Sequence, residues 1–153
     1  MRKIGFGSIV LVAMMGLSSV AISQQLKKEV INTPKSPEAI GPYSQAIKVG
    51  ATVYLAGQIP IDPVSKQLRN DMGIEGQTAL VLNNLKAVLE ADGMTMDNIV
   101  STSVFMKDLN EFPKMNVIYA TFFKSAPPAR ATVEVSRLPR DVKIEISAIA
   151  VKF

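Results

Sequence analysis

The stretch from Met72 to Ala91 constrains the fold most. Ile74, Thr78, Val81, Leu82, Leu85, Val88 and Leu89 recur at steps of three and four, and Glu75, Asn83, Lys86 and Glu90 fall on the other side. This spacing predicts an amphipathic helix with one apolar stripe, and Gly93 supplies its stop. One such helix cannot bury its stripe alone, so the rest of the chain must provide a matching apolar surface.

The flanking segments read as that surface. Residues 24–40 are polar with Pro34 and Pro37 and read as an extended arm, with a short strand expected at Glu29–Asn32. Gly41-Pro42 is a turn signal. Ser44–Val49 and Thr52–Ala56 flank Gly50-Ala51 as a hairpin. Ile59–Leu68, with Pro60, Asp62-Pro63 and Ser65, reads as a loop, and Ile99–Met106 as a strand. Asn110 is the expected cap of a second helix, Glu111–Lys124, with Pro113 in its first turn and Met115, Ile118, Tyr119, Phe122 and Phe123 as its stripe. Pro127-Pro128 ends it, and strands Arg130–Arg137 and Lys143–Phe153 close the chain. The order β-β-β-α-β-α-β-β predicts a single α+β domain, one sheet with two helices packed on one face.

Composition narrows the chemistry. There is no His, Cys or Trp. A Ser-His-Asp triad, an imidazole acid–base pair, a histidine metal ligand, a thiolate nucleophile and a zinc or iron–sulfur cluster are therefore excluded. Arg, Lys, Tyr, Glu, Asp, hydroxyls, backbone amides and water remain.

Met1-Arg2-Lys3 is a basic start, Ile4–Val20 an uncharged apolar run, and Ala21-Ile22-Ser23 places small residues before Gln24-Gln25. This order reads as a secretory signal peptide over residues 1–23, followed by a domain over 24–153. The expected location is periplasmic or secreted, without stable membrane association after cleavage; an uncleaved anchor is the alternative. Without the leader, 15 basic and 13 acidic residues leave a net +2 on 130 residues. That is too weak to point to nucleic acid.

In the last strand Ile144, Ile146, Ala148 and Ala150 share one face. The opposite face mixes Glu145 and Ser147 with Ile149, Val151 and Phe153, a surface that suggests a partner subunit. In the preceding strand Arg130, Thr132, Glu134 and Ser136 alternate with Ala131, Val133 and Val135. Arg130 follows the rigid Pro127-Pro128-Ala129, and its planar fork suits a carboxylate; a solvated edge arginine and an exposed glutamate are the plain alternatives.

Five ordered blocks carry a resemblance. Ile40-Gly41-Pro42-Tyr43-Ser44-Gln45-Ala46, Val53–Pro60, Asn84–Leu89, Val104–Leu109, and Pro128–Pro139 with Val142–Ile146 resemble the RidA (YjgF) family over residues 28–153. The resemblance implies a chorismate-mutase-like fold assembled as a homotrimer, with active sites in clefts between subunits. It implies cofactor-independent, metal-free hydrolysis of reactive 2-imino acids such as 2-iminobutanoate, and their enamines, to 2-oxo acids and ammonium. By position, Arg130 corresponds to the arginine holding the substrate carboxylate, Glu145 to the carboxylate serving water, and Tyr43 to the tyrosine closing the cleft. Gly57 corresponds to a glycine admitting close backbone approach, and Asn116 and Thr132 to pocket residues. Thr132 stands where Cys is frequent in the family and Ala56 where Ser is frequent, which bears on substrate preference. A holdase-type chaperone or small-acid-binding protein is the competing reading, and a ribonuclease a weaker one.

Overall fold

The computed structural model describes residues 26–153. The expected signal peptide, residues 1–23, lies outside the described residues. Six strands and two α-helices follow in the expected order: β1 (Lys28–Ile31), β2 (Ala46–Val49), β3 (Thr52–Gln58), α1 (Ile74–Ala91), β4 (Ile99–Met106), α2 (Phe112–Phe122), β5 (Ala129–Glu134) and β6 (Ile144–Val151). They form one sheet in the order β1-β2-β3-β6-β4-β5. Only β4 and β5 run parallel, and α2 provides the crossover that a parallel pair requires.

The amphipathic patterns explain the layering. All seven stripe residues of α1 are buried. They meet Val53 and Leu55 of β3, Val104 and Met106 of β4, and Ile144, Ile146, Ala148 and Ala150 of β6 in one core. Met115, Tyr119 and Phe123 join it from the second helix, so both helices cover one face. On the other face Ile59, Ile61, Leu138 and Val142 pack with Leu68, Phe105 and Val135 into a small second core, which covers one end. The rest of that face carries the exposed Tyr54, Val133 and Ile149.

Several boundaries differ from expectation for local reasons. Helix α1 starts at Ile74 rather than Met72, because Met72 N–H bonds Arg69 O in a turn and Gly73 is the extended N-cap. Asn110 does not cap the second helix. The Asp108 side chain accepts from Asn110 N–H and starts a 3-10 turn at Leu109–Glu111, from which α2 continues at Phe112. The helix ends at Phe122, not Lys124. Strand β5 stops at Glu134 and β6 at Val151, which leaves Phe153 exposed beyond the sheet.

Buried amides pin the loops. Gln45 donates to the carbonyls of Thr33, Ser36 and Pro37 and accepts from Thr33 N–H, so the N-terminal arm is folded against the start of β2. Asn84 donates to Ile61 O, and Gln77 donates to Arg69 O and Met72 O while accepting from Lys143 N–H. These bonds fix the loop between β3 and α1, which forms one wall of the cleft described next.

Candidate functional site

Strand β3 does not run straight past β6. Leu55 pairs with Ala148 but Gln58 pairs with Ile146, so β3 carries one extra residue at Ala56-Gly57. Such a bulge bends the strand and redirects its side chains. A cleft of about 280 Å³ opens there, lined by Ile40, Tyr43, Ala56, Gly57, Ile59, Pro139 and Glu145. Gly57 is required for space rather than for backbone conformation. A Cβ at this position would collide with Glu145 Oε1 and stand 2.9 Å from its Cδ. In this chain the room that Gly57 leaves is filled by the Glu145 carboxyl.

Glu145 is half-buried and belongs to no ion pair among the described residues. Burial pushes its carboxyl above the usual carboxylate range, since the charged form loses hydration without a compensating cation. Tyr43 is half exposed at the cleft mouth, and its hydroxyl accepts from Ile40 N–H at 3.2 Å. Opposite it, Arg140 and Asp141 both hold left-handed backbone (φ 56° and 59°) immediately after Pro139. Asp141 receives two guanidinium N–H bonds from Arg137, which hold its carboxyl below the usual range and stitch this turn.

Arg130 lies elsewhere. In the parallel β4–β5 pair Thr102 faces Arg130 and Val104 faces Thr132, so both β5 residues point to the helix side. The Arg130 guanidinium carbon sits 4.5 Å from the Tyr119 ring centroid and 5.5 Å from that of Phe112. Asn116 occupies the intervening turn of α2 and is half-buried. The Thr132 Oγ1 is sealed from solvent and has no hydrogen-bond partner. Arg130 itself has no acidic partner among the described residues, although the residue is exposed.

The six expected residues therefore form two groups. Tyr43, Gly57 and Glu145 share the cleft on the open side, and Arg130, Thr132 and Asn116 lie on the helix side of the edge strand. Glu145 pairs with Phe105 and Phe105 with Val133, which places it on the face opposite Arg130. A single chain does not bring the two groups together. Among the described residues no His, Cys, Asp or Glu cluster could hold a metal ion.

Sequence reasoning missed the polar work of Gln45, which sat inside a quoted motif, and of Tyr119, assigned only to an apolar stripe. The signal for Tyr119 was its hydroxyl, because a tyrosine buried in a helix stripe needs a partner. Here the partner is Thr102 Oγ1 at 2.7 Å.

The family model described as Endoribonuclease L-PSP matches residues 33–152. A 2-iminobutanoate/2-iminopropanoate deaminase from Salmonella typhimurium is 46% identical over 127 residues, 81% of this chain and 98% of that protein. The chain belongs to the RidA family. A RutC family protein from Saccharolobus solfataricus is 52% identical over 125 residues, covering 82% of this chain and 98% of its own length. The crystal structure of E. coli TdcF with bound serine superposes with a TM-score of 0.78 at 40% identity, covering 82% of this chain and 99% of that one. The family match thus spans both residue groups and strands β2 to β6.

Proposed function

We propose that this RidA-family protein hydrolyses small 2-imino acids to 2-oxo acids and ammonium, as a homotrimer whose sites join the Arg130 group of one subunit to the Glu145 cleft of the next. The observation that carries this reading is the Arg130 guanidinium, braced on aromatic faces and lacking any acid of its own. An arginine whose in-plane N–H donors are free accepts a carboxylate in two parallel bonds, which fixes both position and orientation. The orphaned Thr132 hydroxyl beside it supports a polar ligand at the same place.

Glu145 supplies the second requirement. With its pKa raised, a carboxyl exchanges protons closer to neutrality than an exposed glutamate does. In the proposed reaction Glu145 takes a proton from water as the oxygen attacks the C=N carbon. It returns that proton to the imine nitrogen, giving the tetrahedral carbinolamine, and then carries the carbinolamine hydroxyl proton to the same nitrogen as the C–N bond breaks and the C=O bond forms. The products are a 2-oxo acid and ammonia, which protonates to ammonium. Tyr43 closes the cleft mouth. The deaminase name of the Salmonella relative and the serine held by TdcF, a small acid with nitrogen on C2, support this substrate class.

The family description Endoribonuclease L-PSP raises phosphodiester cleavage as a second reading. The cleft that holds Glu145 is lined by no Lys or Arg, which disfavours a phosphate there. A coupled assay, with an amino-acid oxidase generating imines and semicarbazide trapping the survivors, tests the proposal. Addition of the protein should lower semicarbazone yield; unchanged yield alongside RNA cleavage would replace the imine reading. Export follows from residues 1–23 and completes the proposal. Intact mass should show loss of about 23 residues, and a full-length chain confined to the cytosol would contradict it.

A further inference from the structure

Arg130 stands on the outermost strand, exposed, with no acid to hold it. A long arginine in such a place should sample many rotamers. The geometry instead surrounds it with a closed set of contacts. Thr102 is its direct neighbour across the β4–β5 pair. The Thr102 Oγ1 and the Tyr119 hydroxyl share a 2.7 Å hydrogen bond. The Tyr119 ring returns to lie 4.5 Å under the guanidinium carbon, and Phe112, two helical turns earlier, lies 5.5 Å from it. Phe123 packs against the Tyr119 ring, with ring centroids 4.6 Å apart. Tyr119 is therefore fixed at its hydroxyl by a strand and at its ring by the residue just past its helix.

We propose that Tyr119 and Thr102 are positioning residues for Arg130, setting the plane of its guanidinium so that the N–H edge is presented to a substrate carboxylate; this rests on the imine-hydrolase reading above. Stacking on a ring occupies the face of the guanidinium and leaves its in-plane donors free. Burial raises the Tyr119 hydroxyl above its ordinary value, so it stays neutral through the working range and contributes geometry, not a proton.

Tyr119→Phe keeps the ring and removes the bond to Thr102; Thr102→Val removes the same bond from the other end. Calorimetric titration with 2-oxobutanoate, a carboxylate that cannot turn over, reads the effect directly. Each single variant should weaken binding by roughly tenfold, the order expected for one lost hydrogen bond acting through a charged contact. The double variant should be no weaker than either single, because both delete one interaction. Thr102→Ser should restore binding. Imine hydrolysis should fall through KM more than kcat, with the pH profile unmoved. Wild-type affinity in Tyr119→Phe, additive losses in the double variant, or a shifted pH profile would each overturn the positioning role. An unmodified protein that binds no 2-oxobutanoate would overturn the carboxylate reading itself, and this inference with it.

Discussion

At the scale of single residues, Arg130 and Glu145 carry the chemistry for opposite physical reasons. Arg130 is useful because no acid among the described residues holds it. Losing one partner of a desolvated charge pair costs about 2–5 kcal/mol, so Arg130→Ala should lower kcat/KM by roughly 30- to 4000-fold. Arg130→Lys should recover little, since an ammonium offers a point charge without the fork or the flat stacking face. Circular dichroism should show both variants folded, as the residue is exposed in the chain. Wild-type turnover in Arg130→Ala would remove it from the site. Glu145 is useful because it is uncomfortable. Its carboxyl is raised by burial, so its contribution to stability is full below the ordinary carboxylate range, about 4, and is lost as pH rises through the folded-state value. Glu145→Gln should therefore melt higher than the unmodified protein at pH 7–8, with the gain fading toward acid pH, while imine hydrolysis is abolished. A Tm difference that grows on acidification would show that the carboxyl is stabilised, not stressed, in its cleft.

At the scale of elements, the two helices and the long strands could be read from periodicity, because their burial patterns are regular. Thr102–Met106 alternates between the core and the open side, after a register shift between Ile99 and Ser101. What periodicity could not show is the bulge at Ala56-Gly57, which needs the partner strand to be defined, and the capping by Asp108, which won over Asn110 because a 3-10 turn precedes the helix. Arg130 and Glu145 stood out by position and chemistry, but the remaining site residues, and every role, were legible only through the family motifs. Their spacing says nothing about Glu145 and Arg130 pointing to opposite faces, a consequence of strand register. The arm was legible as extended, but its anchor was not: a buried glutamine gives no periodic signal. Gln45→Ala would leave the Thr33 amide and the carbonyls of Thr33, Ser36 and Pro37 without their buried partner. Unsatisfied buried groups cost about 1–3 kcal/mol each, partly relieved by water, so a loss of roughly 2–4 kcal/mol is expected in chemical denaturation. Hydrogen exchange should accelerate at residues 33–37 first. Wild-type protection there would show that the arm is held by packing alone.

At the scale of the whole molecule, the open side of the sheet connects fold to function. Tyr54, Ile149 and Ser101 are cross-strand neighbours on a face that no helix covers. Exposed Tyr54, Val133 and Ile149 on one sheet are costly in water and suit a partner copy. Ile149→Asp places a charge on a residue that a lone chain already exposes, so it should leave the fold intact and disrupt assembly, read as a shift from trimer to monomer in light scattering. An unmodified mature protein that scatters as a monomer would contradict the trimer.

The central claim is that one site is built from two chains, and subunit mixing tests it most directly. Arg130→Ala and Glu145→Gln chains should each be strongly impaired when assembled alone. Co-refolded in equal amounts, they should regain about one quarter of the unmodified imine-hydrolase activity, the fraction of boundaries at which an intact Arg130 of one chain meets an intact Glu145 of its neighbour under random association into closed rings. Mixed trimers, verified by mass, that remain as inactive as their parents would place both residues in the site of a single chain and contradict the account.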